Sequence, residues 1–194
     1  MRRLLQLPAI AGGLLVATLL GPPSAIAATS WKTDTAASHL YFTAVQAGGD
    51  FDGEFRRFEA GIRFEAADLP GSRLQVSVDT GSVDTKDADR DSILRGPEFF
   101  DVARWPAARF ETTGIRALDS TRFEATGRLT LRDVTREVRL PLEFVVAPDG
   151  KTAKMTGGTS IQRLDFGIGQ GEWQDTTWVG NEVKIAFELK LRRQ

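Results

Sequence analysis

Apolar and polar residues alternate along most of the chain after residue 30. A period of two is typical of β-strands that bury one face, because successive side chains of a strand point to opposite sides. The clearest strands are predicted at residues 74–79, 123–131, 138–146 and 183–191. Less regular strands are predicted at residues 40–46, 51–58, 61–65, 108–115 and 154–161, between breaks rich in Gly, Pro and Asp. The pattern therefore indicates eight or nine strands.

One helical segment interrupts the alternation, over residues 87–94. Asp84 or Thr85 is its predicted N-cap, and Pro97 follows its end. Strands and helices do not alternate, which argues against a parallel sheet. About eight antiparallel strands form either a sandwich or a closed barrel, and closure leaves no unpaired edge. We therefore predict an all-β fold, an antiparallel β-barrel of about eight strands with one short helix.

Residues 1–27 have the features of a secretory signal peptide. Arg2 and Arg3 give a basic start, residues 8–20 are apolar, and Ala25-Ile26-Ala27 supplies small residues for cleavage. The apolar stretch is shorter than the roughly 20 residues that a membrane-spanning helix needs, and no later segment is long and apolar enough. We expect residues 28–194 to form one exported domain, located in a periplasm.

The composition excludes several classes of chemistry. The chain has no cysteine, so it can form neither disulfides nor thiolate metal sites. Its formal net charge is −1, and acidic and basic residues are interspersed, which does not favour nucleic acid as a partner. His39 is the only histidine, so an imidazole-based catalytic site is improbable. We expect no catalytic site, no metal site and no cofactor.

Two motifs have a functional and a structural interpretation. Asp87, Asp89, Asp91 and Glu98 have the spacing of calcium-loop ligands, but Ser92 stands where such a loop needs glycine. Acidic residues early in a short helix are explained more simply by capping and the helix dipole. The glycines of residues 167–171 are followed by no helix, so they favour a loop with positive φ or a close backbone approach rather than a phosphate site. Two tryptophans just beyond this run either form the rim of a cavity or cap the core; they are Trp173 and Trp178.

Several short motifs follow one another between Trp31 and the C-terminus. They are residues 38–42 (SHLYF), 53–58 (GEFRRF), 79–85 (DTGSVDT), 90–94 (RDSIL), 97–102 (PEFFDV), 105–110 (WPAARF), 127–136 (GRLTLRDVTR) and 163–169 (RLDFGIG). In these motifs the chain resembles the YceI family of exported lipid-binding proteins. Residues 46–48 (QAG) are similar to the branch with Gln-x-Gly after the first strand, whereas many relatives have Lys-His-Met there.

The resemblance implies a lipocalin-like barrel whose apolar lumen binds an isoprenoid lipid, either a polyprenyl phosphate or an isoprenoid quinone. It implies a carrier or storage protein and no enzyme activity. Because some members of the Gln-x-Gly branch accompany b-type cytochromes in the membrane, such a cytochrome is a candidate partner. Many relatives have histidine at the position of Ile93 and glycine at that of Asp133, which weakens the transfer of a polar headgroup site.

The inward-facing residues of the predicted strands are expected to line the core or the lipid tunnel. These candidates are Phe42, Leu74, Val76, Val78, Phe110, Phe123, Leu129, Leu140, Leu142 and Phe187. By motif position, the polar candidates for contact with a headgroup are His39, Arg163 and Asp165. A barrel of this size is either filled by its own side chains or open to a ligand. Two alternatives therefore stay open at the level of sequence: a ligand-free structural or interaction barrel, and a hydrolase that acts on a lipid headgroup.

Overall fold

The computed structural model describes residues 28–194, and the predicted signal peptide lies outside the described residues. Eleven strands form one antiparallel sheet. They are β1 (Ser30–Thr33), β2 (His39–Gln46), β3 (Gly49–Phe55), β4 (Phe58–Arg63), β5 (Arg73–Asp79), β6 (Val83–Asp84), β7 (Ala107–Ala117), β8 (Arg122–Leu131), β9 (Val134–Val146), β10 (Thr152–Gln162) and β11 (Glu182–Arg193). Among residues 28–194 there is one α-helix, α1 (Ala88–Arg95), and none long and apolar enough to cross a membrane.

The sheet closes because β11 pairs with β2 along its first half and with β1 along its last residues. β1 and β2 are thus two halves of one interrupted strand. The same holds for β3 with β4 and for β5 with β6, since each half pairs with the matching half of the neighbouring strand. With β7 to β11 this makes eight long strands in up-and-down order. The predicted all-β antiparallel barrel of eight strands with one short helix is confirmed.

Buried hydroxyl groups bridge the points where the strands are interrupted. Between β1 and β2, the Ser38 hydroxyl donates to the Asp34 carbonyl at 2.7 Å and accepts from the Lys190 N–H at 2.9 Å. Between β3 and β4, the Arg57 N–H donates to the Ser82 hydroxyl at 3.0 Å. These side chains bond to main-chain groups that the ladder leaves unpaired. Three neighbouring strands can therefore bend without leaving buried N–H or C=O groups that lack a hydrogen-bond partner. The sequence pattern had predicted a single strand over residues 51–58, which the structure divides at residues 56–57.

The capping of helix α1 differs from the prediction. Asp87, and not Asp84 or Thr85, is the N-cap, and its carboxylate accepts from the N–H groups of the second and third helical residues at 3.1 and 3.0 Å. Asp91 is buried and accepts from the N–H and hydroxyl of Thr85 at 2.8 and 2.7 Å. Two of the four acidic residues with calcium-like spacing, Asp87 and Asp91, therefore hold the helix in place, and Asp87 has the capping role that the structural interpretation gives to an early acidic residue. Residues 28–194 contain no group of three or more His, Cys, Asp or Glu side chains that could hold a metal ion.

Four aromatic side chains close one end of the barrel. Phe64 is fully buried, and its ring centroid lies 4.9 Å from that of Phe123 and 4.5 Å from that of Phe144. Trp31 packs edge-on against Phe144 at 5.4 Å, and its indole N–H donates to the Phe64 carbonyl at 3.0 Å. Such pairs contribute about 0.5–1.5 kcal/mol each beyond the burial of their surface. We call this aromatic cluster the blind end.

The β7–β8 turn at this end makes the acid stability of the barrel testable. N–H groups of Thr121 and Arg122, with the Arg122 guanidinium, lower the pKa of Asp119 to about 2. This pKa lies below that of an unfolded aspartate, about 3.9, so the carboxylate stabilises the fold above about pH 4. The contribution is lost as the pH falls toward 2. In acid titrations of unfolding, the stability advantage of the wild type over Asp119→Asn is expected to shrink over that window. An advantage that stays constant with pH would contradict the assignment.

Candidate functional site

Beyond the blind end the barrel is hollow. The lumen holds a cavity of about 220 Å³, and apart from Tyr41, Gln46, Arg90, Thr159 and Arg163 its lining residues are all apolar. Eight of the ten predicted lumen residues line it: Phe42, Leu74, Val76, Val78, Phe110, Leu129, Leu140 and Phe187. The other two, Phe123 and Leu142, are buried but lie outside the lining; Phe123 packs in the blind end and pairs with Leu142 across the β8–β9 ladder. Contact of these side chains with a lipid stays a prediction.

The cavity extends along the strands rather than across them. On β11 alone it is lined by every second residue from Val183 to Leu189. At ~3.4 Å per residue these six steps cover about 20 Å of strand. Strands in closed barrels tilt by about 40° from the axis, so the depth is about 15 Å. A narrow apolar space of this depth fits a chain-like molecule better than a compact one.

The mouth of the cavity carries a positioned cation, Arg90. Its Nε donates to the Gln46 side chain at 3.0 Å, and its guanidinium lies 4.2 Å from the centre of the Phe51 ring. Asp87 approaches the same guanidinium at 3.4 Å. Arg90 lies in one of the short family motifs, residues 90–94, but it is not among the site residues that the sequence predicts. Only the register of α1, which turns Arg90 toward the end of β2, brings it to the lumen.

Arg163 also reaches the lumen, but its hydrogen-bond donors are already used. It is 3% exposed and donates to five main-chain carbonyls, at distances between 2.6 and 3.2 Å. The acceptors are the carbonyls of Ile168, Gly169, Trp173, Val179 and Gly180. Burial lowers the pKa of the guanidinium from its ordinary value. Arg163 therefore organises the loop between β10 and β11, and no donor is left over for a headgroup in this arrangement.

Glycine allows the β10–β11 loop to pack this closely around the Arg163 guanidinium. Gly169 has a φ of +80°, and a Cβ atom there would overlap the Arg163 guanidinium. Gly167 and Gly171 also have positive φ, at +67° and +63°. The prediction that residues 167–171 form a loop with positive φ and a close approach is confirmed.

The two other headgroup candidates lie elsewhere. His39 is exposed on the outer face of β2, where its ring stacks on Tyr41 at 5.4 Å, and it does not line the cavity. Asp165 is exposed on the short helical turn after β10. The structure therefore does not bring His39, Arg163 and Asp165 together into one polar site.

The two tryptophans of the β10–β11 loop have different positions. Trp173 lines the cavity, packs at a tilt against Phe99 with ring centroids 5.5 Å apart, and donates its indole N–H to Glu98 at 2.6 Å. Trp178 is 64% exposed, next to the lining residue Val179. Trp173 thus forms part of the wall at the mouth, while Trp178 stands outside it on the rim.

Comparison with known proteins gives consistent matches over nearly the whole described chain. The model of the YceI-like domain matches residues 31–191. A UPF0312 protein of Azotobacter vinelandii is 34% identical over 146 residues, which are 73% of this chain and 74% of that protein.

Solved structures agree in fold. The crystal structure of Burkholderia cenocepacia BcnA has a TM-score of 0.78 at 30% identity and covers 82% of this chain and 99% of its own. A polyisoprenoid-binding domain from Saccharophagus degradans, implicated in plant cell wall breakdown, has a TM-score of 0.67 at 16% identity. It covers 86% of this chain and 99% of its own, and at this identity the likeness concerns the fold.

Proposed function

This chain belongs to the YceI family, and from that membership and the shape of its cavity we propose that it binds an isoprenoid lipid inside the barrel. The observation that carries the proposal is an apolar lumen that is closed by aromatic rings at one end and open at the other. The polyisoprenoid-binding domain of Saccharophagus degradans, which shares the fold, supports the same class of ligand. We further propose a periplasmic carrier or storage role.

Burial of the tail supplies enough free energy for such binding. Each methylene taken out of water contributes about 0.8 kcal/mol, so about twenty carbons offer some 16 kcal/mol before costs. The loss of translational and conformational freedom takes back an estimated 4–15 kcal/mol. Where this cost stays below about 10 kcal/mol, at least about 6 kcal/mol remains, which corresponds to a Kd of tens of micromolar or tighter without any strong polar contact. Tail length is expected to be poorly discriminated beyond the depth of the lumen.

The headgroup of the lipid meets few polar partners at the mouth. Arg90 offers a cation there, although Asp87 offsets part of its charge, and the donors of Arg163 are bonded to carbonyls. A polyprenyl phosphate and an isoprenoid quinone both fit a cavity that holds the tail and leaves the head near water. A membrane b-type cytochrome as the partner in exchange of a quinone stays a prediction.

We propose that the protein is not an enzyme. No aspartate, glutamate or histidine is among the described residues that line the cavity. The two carboxylates that bond to the lining residues Trp173 and Arg90 have structural roles, since Glu98 accepts from Trp173 and Asp87 caps α1. A headgroup hydrolase would need a free acid or base within reach of the lipid. The other alternative, a ligand-free structural barrel, is disfavoured by the hollow lumen.

Native mass spectrometry of protein purified from its producing cells without detergent tests the proposal. A bound species with the mass of a polyprenyl phosphate or an isoprenoid quinone is expected, and organic extraction should recover it. The stripped protein should take up a polyprenol again in a saturable manner. Protein that carries no lipid and also fails to bind added polyprenol would rule the function out.

A further inference from the structure

Three aromatic rings of the lumen each lie over a glycine on the neighbouring strand. The pairs are Phe42 with Gly53, Phe110 with Gly127, and Phe187 with Gly157, and we call them the three Phe–Gly pairs. All three glycines face inward, because they share a strand face with residues such as Phe51, Ala125 and Met155. The three phenylalanines all line the cavity.

The fit between ring and glycine is tight in every pair. A Cβ atom at Gly53 would lie within 3.0 Å of three atoms of the Phe42 ring. A Cβ at Gly127 would lie 2.6 Å from two atoms of the Phe110 ring, and one at Gly157 would lie 2.7 and 2.9 Å from the Phe187 ring. Real Cβ atoms do not approach other carbons so closely, so each ring occupies the space that any other residue's side chain would fill.

This arrangement explains why a barrel lined by so many phenylalanines is hollow. A ring that rests on a glycine lies against the sheet, whereas a ring beside a larger residue has to point toward the axis. Glycine inside a strand is destabilising by roughly 0.5–1 kcal/mol relative to alanine, because it loses more freedom on folding and packs no side chain. Glycine at these three inward positions therefore lowers the stability of the barrel and leaves the lumen wider.

We propose that the three Phe–Gly pairs set the width of the lumen and allow it to accept a methyl-branched prenyl chain rather than only a straight alkyl chain. The inference rests on the proposed function and adds to it the residues that determine which tails fit. A prenyl chain carries a methyl group on every fourth carbon of its backbone, so its cross-section is wider than that of an unbranched chain. Narrowing the lumen should exclude the branched chain first.

Gly53→Ala is the sharpest test, because the three atoms nearest to the new Cβ all belong to the movable Phe42 ring. At Gly127 and Gly157 the new atom would also meet main-chain oxygens, those of Glu111 and Pro141, at 2.7 and 2.6 Å. The Phe42 ring is flanked by Phe51 and Phe55 at centroid distances of 6.2 and 5.6 Å. These neighbours block sideways movement, so the displaced ring has to turn into the lumen.

The measurement compares geranylgeraniol with hexadecanol, which have main chains of equal length and differ in the methyl branches and double bonds of the prenyl chain. Each alcohol is titrated against anilinonaphthalene sulfonate as the competing fluorescent probe. In Gly53→Ala the affinity for geranylgeraniol is expected to fall about tenfold or more, and that for hexadecanol by less than about threefold. Adding Phe42→Leu to Gly53→Ala should restore the wild-type ratio, because the smaller side chain gives back the lost width.

Gly61→Ala is the matched control, since it lies on an outward face of β4 where a Cβ would be 3.8 Å from the Gln75 carbonyl. It should leave both affinities unchanged. If Gly53→Ala does not fold, Phe42→Leu alone tests the same idea in the opposite direction and should shift the ratio toward geranylgeraniol. An unchanged ratio in these variants overturns the width inference, whereas a wild type that binds neither alcohol overturns the proposed function instead.

Discussion

Arg163→Met is expected to lower the free energy of unfolding by about 3–5 kcal/mol, the largest loss of stability that we predict for a single residue. The guanidinium makes five hydrogen bonds to carbonyls of the β10–β11 loop, and its removal leaves buried acceptors without partners. Methionine fills part of the volume, so the cost comes from the lost bonds and not from a cavity. Urea unfolding and hydrogen exchange measure the effect, and faster exchange is expected over residues 163–181.

Two control variants separate this role from a general effect of charge. Arg163→Lys keeps the charge but cannot reach all five carbonyls, so an intermediate loss is expected. Arg139→Met removes an exposed arginine from the outer face of β9 and should change stability by less than about 0.5 kcal/mol. A loss below about 1 kcal/mol in Arg163→Met would show that the loop is held by other contacts.

Val76→Trp is expected to weaken lipid binding about a thousandfold without loss of thermal stability. Val76 is only half-buried although it points into the lumen, so the larger side chain grows into free space. If the indole displaces about five methylenes of the tail, the lost contribution is about 4 kcal/mol, or roughly three powers of ten in affinity. Filling a cavity with an apolar group stabilises a fold or leaves it unchanged.

Affinity for a polyprenol should therefore fall while the melting temperature stays the same or rises, a combination that an unfolded variant cannot imitate. Gln75→Trp is the control, because Gln75 is the adjacent, exposed residue on the outer side of β5. It adds the same indole but should leave binding unchanged. Equal affinity in Val76→Trp and wild type would place the lipid outside the lumen.

The strands could be predicted because one face of each is buried along most of its length. The long regular strands β8, β9 and β11 were located within a few residues. The prediction of strands failed where the alternation of apolar and polar residues does not show which strands pair and where a strand is interrupted. β1 spans only four residues, too short for a period of two to stand out, and the break at residues 56–57 depends on a hydroxyl from Ser82 that is distant in sequence.

The cavity in the lumen could not be predicted from the sequence. The alternation of apolar and polar residues shows which side chains face inward but not how much space they leave between them. Phe123 and Phe110 have the same pattern, yet one belongs to the blind end and the other lines the cavity. The difference arises from strand register, which places Gly127 beside Phe110 and Phe64 beside Phe123. The partners of Arg163 are likewise carbonyls of an irregular loop, for which no side-chain pattern exists.

If the lumen binds a lipid as proposed, the aromatic cluster of Trp31, Phe64, Phe123 and Phe144 also determines how that lipid can be exchanged. A lumen that is closed at one end takes in a lipid tail-first and releases it head-first. It cannot pass a molecule straight through from donor to acceptor. Under the proposed function, any acceptor would therefore have to face the same rim that the donor faced, and the barrel would be filled and emptied through one opening.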